Sequence, residues 1–181
     1  VSLTGVSSRP AVTSTSRTLH GRSFPVWVSE LAGHRKRLQD AWSDKTIHEA
    51  FRSPAGADVA ASRGQCGVSS AWLVETLAFG SHHVRGLTYC YGDIFTVAGP
   101  ELARHCWVEF WDGRDRLVID VTGDQSKVLG LPEVLYDWHD ELLTGRQIDY
   151  RPHTRLTPLQ LKYDLVQPRL GILKENLRTK R

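Results

Sequence analysis

Gly64-Gln65-Cys66-Gly67-Val68-Ser69-Ser70-Ala71-Trp72-Leu73 reads as a cysteine set on the first turn of a buried helix. Val68, Ala71, Trp72 and Leu73 are apolar, Leu77 and Ala78 carry the pattern towards Phe79, and Gly80 supplies a stop. A thiol attacks as its thiolate, and a free cysteine of pKa about 8.5 needs help near neutrality. A helix N-terminus offers partial positive charge and N–H groups without partners, and Cys66 is placed to receive both. Its own backbone N–H would point at an oxyanion developing beside the sulfur. Gly64 and Gly67 keep bulk away from that approach.

A nucleophile needs a base, and a base needs an orienter. Arg104 to Trp111 has strand character, Asp112-Gly113-Arg114-Asp115 is a turn, and Arg116 to Val121 is the antiparallel return. Alternation places His105, Trp107 and Glu109 on one face and Cys106, Val108 and Phe110 on the other. Pairing across the turn brings Asp120 roughly opposite His105 or Trp107. Taken singly, each of the three residues is more often structural. In this order and setting, Cys66, His105 and Asp120 fit a thiol triad. Trp107 is expected to shield the base, and Cys106 to be a small buried apolar side chain. Gln65, Trp42 and Gln125 are the other residues expected to supply an oxyanion donor or contact substrate.

The 181-residue chain suits one domain with a core, flanked by tails. Net charge is +3; residues 1–23 hold +3 and 151–181 hold +6, which leaves the centre at −6. Solvated tails explain that split better than a nucleic-acid surface does. Three cysteines without a Cys-x-x-Cys argue against a disulfide framework or a structural zinc site. No apolar run reaches the ~18 residues of a membrane span, and no signal-peptide core is evident. A cytoplasmic setting is the expectation, with no cofactor and no metal. His82-His83 reads as a surface turn, and His34-Arg35-Lys36-Arg37 as the wet face of a helix.

In chain order, 1–23 is read as an extended or disordered lead. Val26 to Trp42 is helical, Ile47–Phe51 a short turn of helix, and Ser53–Asp58 a loop. Val84–Tyr91 reads as a strand, with 94–98 as its hairpin partner across Gly92-Asp93. A helix is expected around Glu133–Leu143, ended by Gly145. Three segments follow from this reading: a lead over 1–23, a catalytic domain over 24–150, and a basic C-terminal extension over 151–181, in which Leu159–Leu165 forms a last short element.

These motifs resemble the transglutaminase-like cysteine hydrolase superfamily, whose core overlaps the papain-like arrangement. Gly64-Gln65-Cys66 is similar to its nucleophile motif, His105-x-Trp107-Val108-Glu109 to its histidine strand, and Asp120-x-Thr122 to its aspartate strand. The chain further resembles a small group of poorly characterised bacterial proteins. In that group Ala-Trp-Ser (here 41–43), Gly-Gln-Cys, His-x-Trp and Ile-Asp-x-Thr-x-x-Gln (here 119–125) occur in order. Gly67 stands where transglutaminases usually have tryptophan, and Ser126 where the small group tends to have an aromatic residue; both bear on the acyl pocket.

The resemblance implies an α+β fold, with the nucleophile helix packed on an antiparallel sheet. It also implies acyl chemistry at an amide: Cys66 attacks, His105 moves the proton, Asp120 holds His105, and an acyl-thioester is resolved by water. A peptidase, amidase or protein deamidase acting on a protein, peptide or small amide substrate is expected. A transamidating crosslinker, or a non-catalytic binding module on the same fold, is the alternative.

Overall fold

The structure, a computed structural model, describes residues 21–52, 60–125 and 129–180. Residues 1–20 of the expected lead, the Ser53–Asp58 loop and Ser126 lie outside the described residues. Five strands form one antiparallel sheet: β1 (Leu87–Thr96), β2 (Gly99–Trp111), β3 (Arg116–Asp120), β4 (Leu135–Trp138) and β5 (Ile148–Leu156). Their order across the sheet is β4-β3-β2-β1-β5. Four α-helices accompany them: α1 (Leu31–Ala41), α2 (Cys66–Phe79), α3 (His139–Gly145) and α4 (Gln167–Thr179). The architecture is α+β, as expected.

Period-two alternation gives the sheet two apolar faces. Cys106, Val108 and Ile119 face one core, which they share with Leu31 and Leu38 of α1, Val68 and Leu73 of α2, and Leu173 of α4. Trp107, Val118 and Tyr150 face a second core closed by Leu135 and Leu142. Burying each leucine completely is worth ~1.5–3 kcal/mol. Ten of the fourteen α2 residues are buried, so α2 is the interior helix of the larger core rather than an amphipathic surface one. Its small residues let it lie close on β2, and Ser70 Oγ donates to the Cys106 carbonyl at 3.1 Å.

Helix α2 begins and ends where the sequence indicates, with Gly80 as its C-cap. The turn after β2 is also as read: Asp112 Oδ1 accepts from the backbone N–H groups of Arg114 and Asp115, each at 2.7 Å. Three expectations are corrected. First, Gly92-Asp93 is not a hairpin turn. Strand β1 runs through it as a bulge, and the chain reverses at Val97-Ala98 instead. Gly92 is needed there because a Cβ would meet the Arg151 carbonyl oxygen at 2.1 Å.

Second, the expected helix over 133–143 is a strand, β4, followed by a shorter helix. Leu135 and Trp138 are buried in the sheet, and pairing with β3 overrides helical spacing. Third, residue 151 does not begin an extension. It lies inside β5, which pairs with β1 from Tyr89↔Leu156 to Thr96↔Ile148. Helix α4 then packs on α1 and α2. Pro152 is tolerated because β5 is an edge strand.

The basic run on α1 also departs from its reading as a wet face. His34 and Arg35 are buried. Arg35 forks onto Asp124 with both nitrogen–oxygen distances at 3.1 Å, donates to the Val121 carbonyl at 2.8 Å and lies over the Trp42 ring. Buried guanidinium needs such pairing, and here it clamps α1 to the turn that follows Asp120.

Candidate active site

Cys66 occupies the first position of α2, with Gln65 as N-cap. Gly64 has φ +70°, and a Cβ there would meet Ile47 Cγ2 at 2.7 Å, so glycine delivers the chain to the helix at this angle. The first intrahelical acceptance is Ser69 N–H to the Gln65 carbonyl at 3.0 Å. The earlier amides, including those of Cys66 and Gly67, are the unpaired donors of the helix start.

His105 and Asp120 meet as the hairpin reading implies. His105 Nε2 lies 2.7 Å from Asp120 Oδ2, and both residues are buried. The observed pairing, Val108↔Ile119 onward, sets Asp120 across from Trp107 and diagonal to His105. Asp120 is held on every side. Its Oδ1 accepts from Thr122 N–H at 2.8 Å and from Thr122 Oγ1 at 3.0 Å, and its Oδ2 also accepts from the Tyr150 hydroxyl at 3.1 Å. Burial pushes the Asp120 carboxyl up, but the His105 charge and these hydrogen bonds hold it below its ordinary value.

The His105 ring thus has Nε2 committed to aspartate. Nδ1 is buried and has no hydrogen-bond partner among the described residues, and Cys66 lines the same cleft as the ring. Loose alignment of this kind tightens when substrate arrives. Burial pushes the imidazolium down; the Asp120 charge and hydrogen bond, helped by Cys66, raise it to about 10. Trp107 stacks along the ring with centroids 6.5 Å apart and planes 15° apart, and donates from Nε1 to Glu109 Oε1 at 3.2 Å. It therefore flanks the base, where it was expected to shield it.

Cys106 is not the inert apolar side chain expected of it. It lines the same cleft as Cys66, whose thiol it influences, and its sulfur lies 3.0 Å from the Tyr89 hydroxyl. Adjacent strand residues point to opposite faces, yet His105 and Cys106 each share a cleft lining with Cys66. Strand β3 ends at Asp120, so at position 105 strand β2 has lost that neighbour, and the ring reaches the helix start past an open edge.

The Cys106 hydrogen bond lowers the Cys66 thiol most, burial opposes it, and the His105 hydrogen bond and charge add to the lowering; the result is well below the ordinary value. Cys106 is pushed well above its own, by the Cys66 hydrogen bond first and then by burial. Of the pair Cys66 is the more acidic thiol, because the His105 charge acts on it. Burial and the Cys106 contact push the Tyr89 phenol well up, so it stays protonated and can donate to Cys106. Tyr89 thus stands behind Cys106, which in turn bears on the Cys66 thiol.

Two clefts meet at Cys66. One, about 370 Å³, has Gly67, Tyr91, Leu156, Val166 and Arg169 in its walls. The other, about 260 Å³, has Arg63, Leu102, His105 and Gln125. Phe51, Gly64, Cys66 and Arg104 are common to both. A Cβ at Gly67 would touch Tyr89, Val166 and Cys106 at 3.5–3.8 Å, so any large side chain there would project into the larger cleft.

The remaining expected site residues divide. Gln125 lines the smaller cleft, though its amide donates to the Ser62 carbonyl. Gln65 lines neither cleft: Oε1 accepts from Thr46 Oγ1 at 2.8 Å, and Nε2 reaches the Ser43 carbonyl at 3.3 Å. Trp42 also stands back from Cys66 and donates to Ser69 Oγ at 3.0 Å. Both brace the start of α2, and neither is aimed at an oxyanion. Sequence reasoning missed Tyr150 because the strand that carries it straddles Pro152. It missed Tyr89 because a turn placed at 92–93 gives the wrong β1–β2 register. With the reversal at 97–98, Tyr89 pairs with Val108, two residues from Cys106.

Comparison with protein-family models, curated proteins and solved structures finds no match to this chain. No described helix is long and apolar enough to cross a membrane.

Proposed function

We propose that the protein is a thiol-dependent acyl-transfer enzyme of transglutaminase-like type, acting on an amide and resolving the acyl-thioester with water. The observation that carries this reading is the buried Asp120–His105 pair, 2.7 Å apart, with His105 and Cys66 together in the lining of one cleft and Cys66 at the start of a buried helix where two clefts converge. The resting pair is Cys66 thiolate with His105 imidazolium. The thiolate adds to the amide carbonyl, and the Cys66 and Gly67 N–H groups receive the oxyanion. His105 gives its proton to the leaving nitrogen as the C–N bond breaks. Water enters, His105 takes a proton from it, and the C–S bond breaks to release the acid. Asp120, fixed by Thr122 and Tyr150, keeps the imidazole oriented and its charge compensated.

The larger cleft suits the acyl part, since glycine at 67 opens it beside the sulfur. The smaller cleft, walled by His105, is where the amine leaves and water arrives. The test is mass spectrometry of peptides from a cell lysate incubated with the wild type or with Cys66→Ala. Cys66-dependent new termini identify a peptidase, glutamine-to-glutamate conversion a deamidase, and crosslinks a transamidase. A lysate unchanged by the wild type, together with no acyl adduct on Cys66 from any activated ester, would overturn the proposal.

A further inference from the structure

The two clefts share one charged residue, Arg104, and its backbone is unusual. Arg104 has φ +59°, in the left-handed region that glycine and asparagine occupy with less strain. It sits in a bulge: Gly92 pairs with His105 and Ile94 with Leu102, so Ala103 and Arg104 together oppose Asp93. Asp93 Oδ1 accepts the Arg104 N–H at 2.9 Å and holds the kink in place. Bulges re-aim side chains, and a non-glycine residue kept in a strained conformation next to a catalytic base points to a use for its side chain. Here the side chain enters the walls of both clefts.

Two further guanidinium groups stand nearby. Arg169 of α4 lines the larger cleft and Arg63 the smaller. Several other arginines of the body are used in the fold: Arg35 binds Asp124, while Arg116 and Arg155 bind Glu109. Arg63, Arg104 and Arg169 have no ion-pair partner among the described residues. One carboxylate shares the larger cleft, Asp164, whose Oδ1 accepts the Val166 N–H at 2.8 Å. That cleft therefore holds two arginines against one aspartate, set among Phe51, Leu156, Leu165 and Val166.

Resting on the acyl-transfer reading above, we infer that the preferred acyl donor carries an apolar segment and an anionic group, a carboxylate in the simplest case, received by Arg104 and Arg169. Arginine pairs with a carboxylate through two parallel N–H···O bonds, and two uncommitted guanidinium groups beside an apolar wall match that chemistry. The two guanidinium groups also offset the net negative charge of the buried thiolate, imidazolium and carboxylate, which would otherwise repel an anionic donor.

The test uses three 4-nitrophenyl esters of matched length: glutarate monoester (anionic), valerate (neutral) and 4-(trimethylammonio)butyrate (cationic). Cys66 thiolate displaces nitrophenolate as the C–S bond forms and the C–O bond breaks; water then releases the acid. A parallel measurement compares Cys66 alkylation by iodoacetate and by iodoacetamide, which needs no turnover. The expected result is Cys66-dependent release fastest from the glutarate ester. The anionic-to-neutral ratio should fall about five-fold in Arg104→Gln or Arg169→Gln, the effect of one unit charge at ~4 Å in water. Arg104→Lys should keep much of the ratio. Arg104→Gly, which suits the backbone, should lose it as Arg104→Gln does and guards against misfolding. Cys66-dependent release without a charge preference, and an alkylation ratio unmoved by the arginine variants, overturns the inference and leaves acyl transfer standing. No Cys66-dependent release from any ester refutes acyl transfer instead; a fall in the alkylation ratio then still supports anion recognition, and an unmoved ratio overturns both.

Discussion

Strand β2 is two strands in character. From Val108 to Phe110 it is regular, paired residue for residue with β3 on one side and β1 on the other. From Leu102 to His105 it is bulged, partnered on one side alone and strained at Arg104. The regular half supplies cores: Val108 is buried against the helices and Trp107 in the opposite core. The irregular half supplies the candidate site. Strict alternation would leave His105 and Cys106 on opposite sides of the sheet with only one near the helix. Where pairing ends, both line clefts that meet at Cys66. The lesson is that the fold is built from the repeating part of the strand and the candidate site from where the repeat fails.

Removing His105 should break this contrast hardest. His105→Ala takes away the imidazolium, and the rate of Cys66 alkylation at neutral pH should fall by roughly 100-fold or more, in the range of general-base contributions. An undiminished rate would mean that the strand's irregular end does not activate the thiol. Asp120→Ala should instead destabilise the fold, because it leaves a buried imidazolium uncompensated, at a cost of about 3–5 kcal/mol in urea unfolding. The linkage has a definite sign. His105 is raised to about 10, so its contribution is fully present below pH 6.5 and lost as pH rises through 10. Asp120 is depressed, so its contribution is present above pH 3.8 and lost as pH falls through its folded value.

A smaller effect tests the regular half's neighbour across the sheet. Tyr89→Phe and Cys106→Ala each remove a group that bears on the Cys66 thiol. A hydrogen bond to a charged group is worth about 1.5–3 kcal/mol, so Cys106→Ala should raise the Cys66 pKa by one to two units. Tyr89→Phe acts at one remove and should raise it by less. Thiolate ultraviolet absorbance against pH reads both. Smallest is Arg104→Gly: relief of left-handed strain should stabilise the fold by up to ~1 kcal/mol, offset in part by glycine's added freedom when unfolded. A large loss on that substitution would show that Arg104 braces the bulge and is not merely carried by it.

The same contrast explains what the sequence made legible. Helix α2, the hairpin from β2 to β3 and the triad order follow from period, turn chemistry and residue type, because each is local. Strand β5 was hidden by Pro152, which reads as a boundary but sits on an edge. Helix α4 was hidden because its role is to cover α1 and α2 and to wall the larger cleft, which no local pattern announces. The bulge was hidden because Gly92-Asp93 has the chemistry of a turn, and only the long-range register shows that the chain continues. Tyr89, Arg104 and Tyr150 enter the site through those three features.

The most direct measurement is the pH dependence of alkylation at Cys66, Cys90 and Cys106 in the folded protein, followed separately by peptide mass spectrometry. Burial, then the Glu109 charge, pushes Cys90 to about 12, so it serves as an internal control. Cys66 should react rapidly well below pH 8.5, with Cys106 slower and Cys90 silent over the same range. A Cys66 that labels no faster than Cys90 or Cys106 would contradict the activated thiol on which the account rests.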